Sequence, residues 1–337
     1  MRFMSSPRWE RYSRRSTLPA VFARNTPAHV LNQQIAAASL AIAERDLKRS
    51  VTNAYYNLLL ARRLAGVLQD GVTESESFER RTNQLAQLGE AARADVVKAA
   101  AQTASLRQAL AAAQLGAELG NQELAAFWTN DVAQPLNIAE VLDLRVPEPE
   151  PSAAIDPKLY LRRSEFQLYD AQRKGFEADA KRERAALLPQ VRFSFQWGVD
   201  GIVPGLSFRD RGYAAYASVN LTVFDWYRSL SAVRQAQTRS AQVMDTREIA
   251  DRRLSQEYQS ALTRIRRLYE QISLGRIQVT ASEEDLRLSR VRYEGGEGPA
   301  LDVVVAQNEL AQARTNYYAS IASYLSARSD LEVTSGR

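Results

Sequence analysis

Apolar residues recur at three- and four-residue steps along most of this chain, a pattern that predicts helices far longer than globular domains use. Between about 26 and 88, Ile35, Ala38, Leu40, Ile42, Leu47, Val51, Tyr55, Leu58 and Leu59 keep that spacing with Arg, Glu, Lys and Gln between them. The pattern stops at Leu88-Gly89. An Ala-dense helical stretch follows from about 92 to 127, and another runs from about Lys158 until just before Leu188-Pro189. A second long rod covers about 229 to 292, breaks at Gly295-Gly296-Glu297-Gly298-Pro299 and returns over about 301 to 331. At ~1.5 Å rise per residue the rod from 230 to 292 spans roughly 95 Å. Rods of that length are stable only when packed along one another as in a coiled coil. The stretches 92–127 and 158–187 together match one long rod, which predicts two short helices laid end to end.

The period changes to two in the region after Pro189. Val191, Phe193, Phe195 and Trp197 alternate with Arg192, Ser194 and Gln196. Further on, Val219, Leu221 and Val223 alternate with Ser218, Asn220 and Thr222, ending in Phe224-Asp225-Trp226-Tyr227. This predicts strands over 191–197 and 214–224, each with one apolar face, and a short third candidate lies near 16–22. A lone hairpin is marginal in water. Lipid outside and water inside satisfy both faces once several chains pool their strands into a closed barrel.

The long rods are also copies of each other. Asp95-Val96-Val97 returns 207 residues on (95 to 302) as Asp302-Val303-Val304. At the same offset Gly89 meets Gly296, Ala99 meets Ala306, Ala104 meets Ala311 and Val72-Thr73 meets Val279-Thr280. A duplication of this size predicts two pseudo-equivalent units. The resulting plan is a basic leader with part of a first β-hairpin (1–25), a helical hairpin (26–128), a Pro-rich linker (129–157), a helix leading to the strands (158–190), a β-hairpin (191–227) and a second helical hairpin (228–337). The fold class is mainly α, with tandem helical hairpins forming a coiled-coil α-barrel and strands contributed to a pooled β-barrel.

Composition narrows the function. The 337 residues include no cysteine, so neither disulfides nor thiolate metal sites are available. The formal charge of +5 resides in residues 1–24, which carry six Arg and one Glu, leaving a balanced body that argues against a nucleic-acid groove. The one histidine, His29, stands at a helix start, and Glu283-Glu284-Asp285 reads as a solvated face. No Gly-rich phosphate loop follows a strand. Neither an enzyme, a metal nor a cofactor is expected. No run of 18 apolar residues occurs, and Met1 to Ala20 carries Arg throughout without the apolar core of a signal peptide.

These features converge on a known pattern. The duplicated hairpins and the junction Ala185-Ala186-Leu187-Leu188-Pro189 resemble the TolC-like outer-membrane efflux protein family. So do the junction Leu221-Thr222-Val223-Phe224-Asp225-Trp226 and the run Ala54-Tyr55-Tyr56-Asn57-Leu58-Leu59. The tip Val291-Arg292-Tyr293-Glu294-Gly295-Gly296 with Leu301-Asp302-Val303-Val304 completes the match. It extends from about residue 15 to the C-terminus. The resemblance implies a homotrimer with a β-barrel in the outer membrane continuous with a helical tunnel through the periplasm. The trimer would be the exit duct of a tripartite efflux pump or a type I secretion system. It would dock a periplasmic adaptor protein and an inner-membrane transporter of resistance–nodulation–division, ABC or major-facilitator type. Members of the family carry four strands per chain where this sequence offers about three, so the resemblance also implies a signal peptide, a helix and a strand ahead of Met1.

The resemblance places a gate at the periplasmic tips. Asp302 fits a ring of aspartates at the pore entrance, Tyr293 a latch tyrosine, and Gln84 and Asp95 its acceptors on the other hairpin. Val305 stands where the family has a second ring aspartate, and Gly298 where it has a latch arginine. Gly89, Gly295 and Gly296 fall at the adaptor-contacting tips. Phe193, Phe195, Trp197, Val219, Leu221 and Val223 fall on the lipid-facing side of the strands. Read without the resemblance, Asp95 and Asp302 each follow a break, where Asp commonly caps a helix, and the glycines are turn formers. A soluble coiled-coil scaffold or a periplasmic adaptor is the alternative for the whole chain.

Overall fold

The computed structural model describes residues 28–139, 142, 156–199, 211–221 and 225–336. The basic leader, the strand candidate near 16–22, most of the Pro-rich linker and Val223 lie outside the described residues. The elements are α1 (Ala28–Gln87), α2 (Arg93–Ala125), a 3₁₀ turn (Leu159–Arg162), α3 (Ser164–Ala185), β1 (Gln190–Val199), β2 (Arg211–Asn220), α4 (Arg228–Glu294) and α5 (Ala300–Thr334). Two boundaries differ most from the sequence reading. The helix expected from 158 begins at Ser164, because Asp156 Oδ1 accepts the Lys158 amide at 2.9 Å in a turn and Arg163 is extended. Strand β2 ends at Asn220 with Leu221 already outside it, and positions 222–224 of the expected strand lie outside the described residues.

The duplication is visible in the boundaries. α1 ends at Gln87 and α4 at Glu294, while α2 starts at Arg93 and α5 at Ala300, so both pairs are 207 apart. Both tips turn by the same hydrogen bonds. Gly89 N donates to Ala86 O (3.1 Å) and Glu90 N to Leu85 O (2.9 Å); Gly296 N donates to Tyr293 O (3.1 Å) and Glu297 N to Arg292 O (2.8 Å). Each is a Schellman motif with its glycine left-handed, Gly89 at φ 81° and Gly296 at φ 74°. A Cβ at either would meet nothing within 4 Å, so backbone conformation alone demands glycine. Gly89→Ala and Gly296→Ala should each lower stability by about 1 kcal/mol in chemical denaturation. Gly116→Ala, in open space within α2, should raise it by a similar amount.

The described chain divides into two compact units. One contains 28–37 and the described part of 167–247: the start of α1, most of α3, the two strands and the start of α4. There Leu31, Ala171, Ala180, Val233 and Ala236 are buried, and Arg247 lies 3.6 Å from Asp170. The other contains the described part of 38–166 and 248–336, most of both helical hairpins. Its core has three parts. Leu59, Ile265, Ile272, Ile321 and Tyr324 form one; Phe78, Ala99, Leu286, Tyr293, Val303 and Leu310 form another; Ala54, Leu58 and Leu124 form a third. At Gly120 the backbones of α2 and α1 come so close that a Cβ would sit 3.3 Å from Leu58 Cα. Leu40 and Leu47 of the helical pattern stay exposed in the protomer.

Paired contacts repeat along with the boundaries. Glu76 and Arg107 bridge the first helical hairpin at 2.7 Å, and their counterparts 207 residues on, Glu283 and Arg314, bridge the second at 2.7 Å. Ser75 and Thr82 are buried on α1, and so are Ser282 and Ser289 on α4. Small polar residues seven apart keep one seam of each rod narrow.

Strands β1 and β2 pair antiparallel from Gln190↔Asn220 to Val199↔Arg211. Pro189 has no N–H to continue the ladder, so Leu221, expected within the strand, falls just beyond its last pair. The register places Val191 opposite Val219, Phe193 opposite Ala217, Phe195 opposite Ala215 and Trp197 opposite Tyr213.

Candidate functional site: the hairpin tips and the strand face

At the tips, aromatic packing and three polar contacts join the two helical hairpins. Tyr293 packs edge-on against Phe78, with centroids 5.2 Å apart at 61°, inside the buried tip cluster. Its hydroxyl meets Thr82 Oγ1 at 3.3 Å, not Gln84 or Asp95. Gln84 lies two residues past Thr82, about 200° around α1, and is exposed. Asp95 faces its own helix, 3.9 Å from Lys98. Beyond Tyr293, Arg290 on α4 forms an ion pair with Glu74 on α1. Gln102 on α2 and Asn308 on α5 exchange two hydrogen bonds.

Asp95 and Asp302 are not helix caps. Ala92 and Pro299 hold the N-cap positions without side-chain bonds, and each Asp is the third residue of its helix. In the first turn a carboxylate favours the positive end of the helix dipole without closing it. Asp302 Oδ2 also lies 3.9 Å from Arg292 Nη1, so the last turn of α4 supplies a cation although Gly298 cannot. Gly295 differs from the other two tip glycines. It lacks a left-handed φ, and a Cβ there would sit 3.3 Å from Val291 O.

Sequence reasoning missed Thr82, the Glu74–Arg290 pair and the Gln102–Asn308 pair. One signal for Thr82 was available, since the duplication returns it as Ser289 and both are buried. Nothing comparable marks the other four residues.

The strand face is apolar and largely exposed in the protomer. Phe193 is 62% exposed and Phe195 54%, with Val191, Val219 and Leu221 also open. The opposite face carries Arg192, Ser194 and Ser218, together with an exposed Tyr216 across from Ser194. No described helix is long and apolar enough to cross a membrane.

Residues 158–337, more than half the chain, match the model of the family described as outer membrane efflux protein. The chain belongs to the outer membrane efflux protein family. Several solved structures share its fold. The CmeC outer membrane channel of Campylobacter jejuni superposes with a TM-score of 0.82 at 15% identity, over 92% of this chain and 66% of CmeC. The MtrE outer membrane channel of Neisseria gonorrhoeae, in its open state, gives 0.78 at 21%, over 92% of this chain and 70% of MtrE. The outer membrane protein VceC of Vibrio cholerae gives 0.77 at 18%, over 92% and 74%. No curated protein matches the sequence. For an outer membrane efflux protein, long helical hairpins and a strand pair with one bare apolar face are the expected parts.

Proposed function

We propose that this efflux protein is the outer-membrane exit duct of a tripartite efflux pump or a type I secretion system, built as a homotrimer. The observation that carries the reading is the β-hairpin whose apolar face stays bare, on a chain otherwise made of long paired helices. Three copies pooling such strands cover that face with lipid and turn Arg192, Ser194 and Ser218 to an aqueous bore. The tips carry Gly89, Gly295 and Gly296 toward a periplasmic adaptor, which in turn joins an inner-membrane transporter of resistance–nodulation–division, ABC or major-facilitator type. Tyr293 with Thr82, and Glu74 with Arg290, hold the two hairpins of a protomer together at the gate.

Asp302 acts at that gate through charge. Three carboxylates around a narrow opening concentrate cations and repel anions. Asp302→Ala should lower cation selectivity and conductance and weaken block by multivalent cations in planar bilayers. Values equal to wild type remove Asp302 from the gate. Fractionation tests the duct itself: a heat-modifiable trimer in the outer membrane supports it, and a soluble dimer replaces it with a coiled-coil scaffold.

A further inference from the structure

Near the tips, a reciprocal amide pair joins α2 and α5. Gln102 Nε2 donates to Asn308 Oδ1 at 2.7 Å, and Asn308 Nδ2 donates to Gln102 Oε1 at 3.1 Å. Beside it stands an amide in the opposite condition. Gln307 is 5% exposed, and neither its Oε1 nor its Nε2 has a partner. At about 100° per residue, Gln307 falls on the arc of α5 between Val303 and Leu310, which face the tip core, and Asn308, which faces α2.

A buried amide with donor and acceptor unmet has given up water and received nothing in exchange. An arrangement that wets the amide recovers that part of the cost. The hairpin architecture does not require the amide, because 207 residues earlier its place is taken by Ala100, and that of Asn308 by Ala101. The pair bridges the two copies of the repeat, and both Asn308 and the orphan Gln307 are particular to the second.

We propose that Gln102–Asn308 is a catch and Gln307 a counterweight in a two-state contact between α2 and α5, the seam along which the tips part when the duct opens. The proposal rests on the duct reading and adds residues that set how readily the gate moves. When the seam parts, Gln102 and Asn308 lose the modest net gain of their two mutual hydrogen bonds, whereas Gln307 gains bonds it lacked. The counterweight keeps the closed state from being overwhelmingly favoured, so a modest differential affinity of a partner for the open state suffices to shift it.

The test uses the full chain in planar bilayers, with hydrogen exchange across residues 303–310 as a readout independent of conduction. Gln307→Leu fills similar space without polar atoms, and Gln307→Ala copies the other repeat. Either should raise the closed-to-open ratio about tenfold, equivalent to about 1.4 kcal/mol, and slow exchange at 303–310. Gln102→Ala should shift both readouts the opposite way, and adding Asn308→Ala should shift them no further. A Gln307→Leu protein with a higher thermal midpoint but wild-type ratio and wild-type exchange makes the amide a mere packing defect and overturns the proposal. A wild-type chain that forms no channel overturns the duct reading instead, and the exchange result still decides the seam.

Discussion

Replacing Arg163 with Met lowers the stability of the helical unit by about 3 kcal/mol, the low end of the range for removing one partner of a buried ion pair. Arg163 is nearly buried where the chain passes from the 3₁₀ turn into α3. Its Nη2 donates to Glu165 Oε1 at 2.6 Å and its Nη1 to Glu257 Oε2 at 2.9 Å, tying α3 to α4. Arg45 on α1 reaches the other oxygen of Glu165 at 2.9 Å, so three helices share one network. Without Arg163, Glu165 keeps Arg45 and Glu257 keeps Arg253 at 2.9 Å, which limits the loss. Gly336 also packs here, at φ 74°, where an added Cβ would lie 3.0 Å from the Arg162 and Arg163 backbone. Chemical denaturation at pH 7 measures the effect.

Acid gives the same network a signature. Burial pushes the Glu165 carboxyl up, but hydrogen bonds from Arg45 and Arg163 outweigh it and hold the pKa down at about 2. The ordinary value in an unfolded chain is about 4.3. A group depressed on folding contributes stability that is complete above its unfolded pKa and is lost as pH falls through the folded one. The wild type therefore loses this contribution between about pH 4 and pH 2. Arg163→Met, lacking one of the two cations, should show a shallower decline across that window.

The second large effect concerns the strands. Phe193→Arg puts a charge on the face proposed to meet lipid, at about 2–4 kcal/mol per chain near the bilayer midplane, and a trimer incurs it three times. Membrane assembly should fall several-fold or fail. Ser194→Arg, one residue on, faces the side that already carries Arg192 and should assemble normally. Equal damage from both substitutions would mean that the two faces do not differ in solvent.

Much of this architecture was legible in the sequence because long helices repeat their period many times, and because the duplication locates each turn twice. Gly89 and Gly296 were readable as turns for the same reason. The end of the ladder at Asn220 was not, since alternation continues into Leu221 while pairing depends on a partner strand that Pro189 ends. The acceptor for Tyr293 was missed by half a turn of helix. Gln84 is the conspicuous polar residue in that stretch, but Thr82 is the one facing inward, and a small buried hydroxyl leaves no mark on a hydropathy pattern. Nothing in the sequence marks Gln102, Gln307 and Asn308. Only packing shows that two of them bond across a seam and that the third is buried without a partner.

The cysteine-free sequence permits a direct test of the central claim, that one face of β1 meets lipid and the other meets water. Single substitutions Val191→Cys, Arg192→Cys, Phe193→Cys, Ser194→Cys and Phe195→Cys are labelled in intact outer membranes with a charged, membrane-impermeant maleimide. The account predicts labelling that alternates, strong at 192 and 194 and weak at 191, 193 and 195. Uniform labelling along the strand, or alternation in the opposite phase, would contradict it.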